Sequence, residues 1–376
     1  MIMVKNEEIS NIDRERSAPA VSVILPCYNV ERDLEDCVAG ILENDFEDYE
    51  ILLVDDGSTD GTLQLIRELS QRDRRVLYIH TENRGVSAAR NRGIALARGE
   101  YILFVDPDDR VSGQLLSAVF HEMKTYQLDY CVFGFQIEGD RDGVDILMNT
   151  DAKKRRNYDS NEEIIRKYFP ALYGYSLADV RRWHAGERIN ARKEFGSVWR
   201  CAYRRDLIVS NGIRMDERIV LNEDSMFNCE YMLCASKMRS INRPLYRYNL
   251  KPEGAMISNW QGQRLLQNKL ELLRKRKEIA EKYKALTGRD PGDLYAGSCV
   301  FSVIEMLSSC AGGVRGAYPK VQEYFRDPVV LKAVDRFPLG GRPKVDFPIL
   351  LLKCRQLRLL YLCMIAAHKL GIKISV

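Results

Sequence analysis

The sequence predicts an α/β fold on a mostly parallel central sheet, followed by a mainly helical C-terminal extension. Three observations carry this prediction. Apolar runs alternate with segments of helical spacing from residue 20 to residue 137, which indicates successive βαβ units. The apolar runs are continuous, as expected of strands covered on both faces. Beyond residue 259 the periodicity is mainly helical, broken at "GGVRGAYP" and "RFPLGGRPKVDFP".

The elements follow in order. Residues 1–19 are polar, end in "SAPA", and read as a flexible tail. "VSVILPCYN" (Val21–Asn29) is a first strand and "LEDCVAGILEN" a helix. "YEILLVDDGSTDGT" is a second strand with an acidic end, and "TLQLIRELSQR" a helix. "VLYIHT" is a strand, "GVSAARNRGIALARG" a helix and "YILFVDPDD" a strand. "SGQLLSAVFHEMKTY" is a helix and "YCVFGFQI" a further strand. The alternation then fails over 138–195, a charged stretch with "KKRR" at Lys153–Arg156, read as an insertion on the acceptor side. Compact structure resumes with "GSVWRCAYRRD" and with "NEDSMFNCEYMLCAS", a helix holding Glu223 and Asp224 in its first turn. This organisation predicts a catalytic domain over 20–258 and a helical region over 259–376.

Composition narrows the class. The 376 residues are 45% hydrophobic and 29% charged, as in ordinary globular proteins. A net charge of +4 argues against a dedicated nucleic-acid binder, which is usually far more basic. The ten cysteines form no CxxC pair and no zinc pattern. The first 20 residues resemble no secretory signal, so the expected compartment is a reducing cytoplasm.

The chemistry sits at the strand ends. In open parallel sheets, ligands bind at the carboxyl ends of the strands. "PCYN", "DDGSTD" and "DPDD" would share one such rim. Clustered carboxylates repel one another and persist where a cation or hydrogen-bond donors stabilise them. Asp106 and Asp108 flank one residue and can meet at one ligand. Their hard oxygens suit Mg²⁺ or Mn²⁺, ions that usually complete their shell with water and phosphate. The alternative for "PDD" is a turn leading to a helix cap. For Asp224 the alternative is simple stabilisation of a helix N-terminus. Arg90 and Arg92 stand two apart, so at most one faces the rim.

Together, "VSVILPCYN", "YEILLVDDGSTDGT", "NRGVSAARNRGIALARGEYILFVDPDD" and "NEDSMF" resemble the family 2 glycosyltransferases of the GT-A fold over residues 20–250. The resemblance implies a Rossmann-like nucleotide-diphospho-sugar transferase with a UDP-sugar donor, a divalent metal (Mn²⁺ or Mg²⁺) and inversion at the anomeric carbon. It implies nucleotide contacts from Pro26, Tyr28, Asn29, Asp56, Arg90 and Asp106, and metal ligation by Asp108 and Asp106. It makes Asp224 the catalytic base, beside Glu223. "LYRYNLKPEGAMIS" resembles the family's loop over the donor, where Arg247 or Lys251 can reach the diphosphate; an ordinary solvated loop is the alternative. Trp199 and Trp183–His184 are candidates to line the acceptor site, although packing suits Trp199 better.

Among bacterial relatives that build surface polysaccharides, the expected acceptor is a glycan or polyprenyl-linked oligosaccharide. The last segment, Ile349–Leu370, read as one amphipathic helix, gathers Arg355, Arg358 and Lys369 on one side. It fits peripheral attachment to the inner membrane face, or packing on the catalytic domain or on a second subunit in a homodimer. Two other functions compete. A nucleotidyltransferase would show a Gly-rich phosphate loop, which "PCYNVERD" is not. An inactive sugar-nucleotide binder or membrane-associated assembly protein would not need Asp106, Asp108 and Asp224 together.

Overall fold

The computed structural model describes residues 8–9, 17–138, 156–187, 196–249, 263–289, 291–310, 318–337, 339–340 and 343–369. The chain divides into two compact units. One comprises residues 1–166 and 196–254, the other residues 167–195 and 255–376. The stretch read as an insertion is therefore shared: its described residues 156–166 group with the sheet, and 167–187 with the helical unit.

The first unit is built on one sheet. Its strands are β1 (Glu8–Ile9), β2 (Val21–Cys27), β3 (Tyr49–Asp56), β4 (Val76–Thr81), β5 (Tyr101–Phe104), β6 (Arg110–Val111), β7 (Tyr130–Glu138), β8 (Asn157–Tyr158), β9 (Cys201–Arg204) and β10 (Met238–Asn249). Their order is β1-β4-β3-β2-β5-β9-β7-β10-β6, with β8 also pairing β10. The pairs among β4, β3, β2 and β5 are parallel, as is β7 with β10, while β9 runs antiparallel between β5 and β7. Every residue of β2, β3 and β5 is buried, which explains their unbroken apolar sequence.

Chain order reverses at β2: β3 lies on one side and β5 on the other. Such a reversal opens a crevice at the strand ends. The register keeps those ends level, with Val21 opposite both Tyr49 and Tyr101. "PCYN", "DDGSTD" and "DPDD" thus leave the sheet side by side. The helix Val86–Leu96 lies close to β2 because residue 93 is glycine. A Cβ there would stand 2.3 Å from Ile24 Cγ2.

Two expectations change. Within the segment expected to be a tail, Glu8–Ile9 pair antiparallel with Ile79–His80 of β4, whose outer edge offers unpaired backbone groups. The C-terminal stretch read as one helix is two, Pro343–Lys353 and Leu357–Lys369. Arg355 adopts φ 59, and the amides of Arg355 and Gln356 donate back to the carbonyls of Leu352 and Leu351. This is a Schellman-type stop, built here without glycine. Arg355 then pairs with Asp335 at 3.1 Å, so it does not join Arg358 and Lys369 in one stripe. Among the described residues, no helix is long and apolar enough to cross a membrane.

The second unit has its own core, including Trp183, Leu273, Val300, Phe325 and Ile349. Trp183 is 4% exposed there, and His184 meets Asp346 at 2.7 Å. Packing and this pair account for the two residues considered as acceptor contacts.

Candidate active site

β5 ends at Phe104 and the chain turns through Asp106–Asp109. Far along the sequence, the helix Glu223–Met232 starts at the same place, with Asn222 in the left-handed region (φ 67) before it. Arg90, in the middle of the helix Val86–Leu96, joins the two. Its Nη2 donates to Asp106 Oδ1 and its Nη1 to Asp224 Oδ1, each at 2.8 Å, and Glu223 Oε1 lies 3.6 Å from Nη1. Arg90 is only 4% exposed. Burial opposes its charge, but Asp224, Asp106 and Glu223 outweigh burial and hold the guanidinium above the ordinary arginine value.

The carboxylates shift upward. Burial, with Asp106 and Asp108 nearby, raises Asp109 from 3.8 to about 8. Burial and Asp224 raise Glu223 to about 8, against the pull of Arg90. Burial also raises Asp224, while Arg90 and the Val198 amide, which donates to Oδ2 at 3.1 Å, oppose the rise.

Asp109 is held from β10. Tyr246 Oη donates to Asp109 Oδ2 at 2.6 Å and accepts from the Asp106 amide at 3.1 Å. The Asn249 amide donates to Asp109 Oδ1 at 2.7 Å. Trp199 stacks on Tyr246 and Tyr248, with ring centroids 4.6 and 5.3 Å away, and is 5% exposed. Trp199 thus braces the strand that braces the acidic turn.

The other rim residues shape loops. Asp56 accepts from the amides of Arg84 (2.9 Å) and Gly85 (2.7 Å), fixing the turn into the Arg90 helix. Gly85, at φ 92, supplies a conformation that side chains disfavour. Asn29 Oδ1 accepts from the Thr59 amide at 2.8 Å, joining the ends of β2 and β3. Pro26 is buried within β2, and Tyr28 is 49% exposed beside it. Arg247 pairs with Glu138 at 3.3 Å. Lys251 lies outside the described residues.

Sequence reasoning missed Tyr246, Asn249 and the Val198 amide as supports of the acidic groups. Their signal is register between distant segments, which no local motif carries. Among the described residues, no three His, Cys, Asp or Glu side chains converge as a full metal-ligand set. The donor set nevertheless fits a hard dication at a phosphate site, where one or two carboxylates suffice. Asp106, Glu223 and Asp224 surround the Arg90 guanidinium, with Asp108 and Asp109 next along the acidic turn, and a dication would offset negative charge there.

A level row of strand ends at a chain reversal, with an acidic turn facing an acidic helix start, defines an α/β domain with a ligand crevice at its strand ends. Residues 22–179 match the model of Glycosyl transferase family 2. The chain is 32% identical over 239 residues to "Uncharacterized glycosyltransferase EpsJ" of Bacillus subtilis, covering 62% of each chain. It is 29% identical over 241 residues to "Glycosyltransferase GlyA" of Streptococcus pneumoniae, covering 64% of this chain and 32% of that one. The match therefore spans less than two thirds of either relative. In structure, the chain is similar to S. aureus TarS 1–349 (TM-score 0.59, 18% identity), with 93% of this chain and 91% of that chain covered. The same TarS fragment solved in complex with UDP-GlcNAc gives a TM-score of 0.57. These likenesses establish a GT-A-like fold with a helical C-terminal region.

Proposed function

We propose that the protein is an inverting, metal-dependent glycosyltransferase. It moves a sugar from a nucleotide-diphosphate donor, a UDP-sugar in this reading, to a hydroxyl of a glycan or lipid-linked oligosaccharide in bacterial polysaccharide synthesis. The family 2 match and the relatives' names support the reaction class, and the UDP-GlcNAc complex of TarS supports the donor class. One observation carries the reading: a single buried guanidinium bonds Asp106 and Asp224, so the strand-end acid and the helix-start acid share a site.

The division of labour follows from the chemistry. Asp106 and Asp108 would hold Mn²⁺ or Mg²⁺, which as a Lewis acid offsets charge on the departing diphosphate. Asp224 takes the proton of the acceptor hydroxyl. Its raised proton affinity suits a base, and the Val198 amide keeps its second oxygen oriented. Glu223 lies beside it and, held partly protonated by burial, limits the repulsion on Asp224. Pro26, Tyr28 and Asn29 border the nucleotide side. Asp56 acts there through the Arg84–Gly85 turn it holds.

The test is a thermal-shift panel of sugar nucleotides with and without Mn²⁺. At 100 times its Kd, a bound donor stabilises by about 2.7 kcal/mol. The wild type should be stabilised by a UDP-sugar in a Mn²⁺-dependent manner, and Asp108→Ala should abolish the Mn²⁺ dependence. A wild type indifferent to every sugar nucleotide would remove the reading.

A further inference from the structure

A cavity of about 560 Å³ lies between the helix Leu115–Thr125 and the start of β10. Ser117, His121, Asn157, Arg239, Ser240 and Arg243 are among its lining residues. Arg239 and Asn249, which contacts the acidic turn, stand ten residues apart on one strand. At roughly 3.3 Å per residue that is a separation of about 30 Å. The cavity is therefore distinct from the proposed donor site.

Its chemistry is that of an anion site. The Arg239 guanidinium lies flat on Tyr126, with Cζ 3.4 Å from the ring centroid. Stacking fixes the plane of the fork before any ligand arrives. Arg239 Nε is buried, yet among the described residues it meets no acceptor. Buried donors are normally satisfied, so this one calls for a partner. Arg243 is exposed on the same wall, where its Nη1 bonds Gln114 Oε1 at 3.3 Å. Glu122 contributes the carboxylate of the lining, against the two guanidinium groups.

Arg156, the last residue of the basic run noted in the sequence, pairs with this wall. The Arg156 amide donates to Ser240 Oγ, and the Ser240 amide donates to the Arg156 carbonyl, each at 3.0 Å. Lys153, Lys154 and Arg155 lie outside the described residues.

We propose that this cavity binds a phosphate ester, with Arg239 and Arg243 gripping the phosphate oxygens. Planar forks match phosphate with paired hydrogen bonds. A phosphoglyceride headgroup and a free phosphate-bearing metabolite or glycan share this chemistry.

The test uses the full chain in EDTA, which removes metal-dependent diphosphate binding. Calorimetry with sn-glycerol 3-phosphate is set beside co-sedimentation with phosphatidylglycerol and phosphatidylcholine vesicles. The wild type should bind glycerol 3-phosphate. Arg239→Gln and Arg243→Gln should each weaken binding by about tenfold, the scale of one charge-assisted contact. Asp108→Ala should bind like the wild type. If phosphatidylglycerol vesicles are also bound, and released by the same substitutions, the source is a lipid headgroup. If only the soluble ester binds, the source is a free ligand. No binding of either probe by the wild type, or undiminished binding by Arg243→Gln, overturns the proposal. Arg243 is exposed, so that variant stays decisive even if Arg239→Gln disturbs the packing on Tyr126. The site does not depend on the donor reading. A chain that binds the phosphate ester but no sugar nucleotide would refute only the latter.

Discussion

Arg90 sets the electrostatics of the candidate site. Removing one partner of a buried charged network leaves the others uncompensated, so Arg90→Ala should cost roughly 3–5 kcal/mol. The loss should be larger at pH 8 than at pH 5 in urea denaturation, because Glu223 and Asp224, whose proton affinities are raised by burial, can take up protons at the lower pH. Asp109 gives a signed pH dependence. Its carboxyl rises from 3.8 to about 8 on folding, so between those values the folded state binds more protons than the unfolded one. Its contribution to stability therefore falls as pH climbs from 4 to 8. Asp109→Asn should flatten that part of a melting-temperature profile in metal-free buffer. Asp106, Glu223, Asp224 and Arg90, which the fold brings together, could each be picked out in sequence because each sits in a short motif. Tyr246 was not: its hydroxyl meets Asp109 across 137 residues, and only strand register places it there.

The elements of the sheet were read well because their cues are local: apolar runs bounded by Pro, Asn, Asp and Gly. β9 was harder. It is four residues long and runs antiparallel in the middle of the sheet, with no βαβ signature of its own. The stop at Arg355 was missed because a left-handed arginine carries no glycine signal. Gly93 tests the close packing of the helix that bears Arg90. A Cβ there would collide with Ile24, so Gly93→Ala should destabilise by about 1–3 kcal/mol in chemical denaturation. It should also lower donor affinity, because Arg90 would shift with its helix.

At the scale of the molecule, a net charge of +4 conceals a local excess of carboxylates at one sheet edge. Composition argues against a dedicated nucleic-acid binder but could not see this edge. Only the parallel strand order, the reversal at β2 and a helix start from far along the chain assemble it. Because protons and a dication compete for the same oxygens, Mn²⁺ should raise the melting temperature more at pH 8 than at pH 5. In the proposed reaction, strand end and helix start divide the work: the first holds donor and metal, the second accepts the proton. Calorimetric donor binding in Mn²⁺, paired with sugar transfer for the wild type, Asp108→Ala and Asp224→Asn, separates the two roles. Asp224→Asn should bind donor like the wild type while transfer falls by at least about 100-fold, as loss of a general base implies. Asp108→Ala should lose Mn²⁺-dependent binding itself. Full transfer by Asp224→Asn, or unchanged metal-dependent binding by Asp108→Ala, would overturn this division.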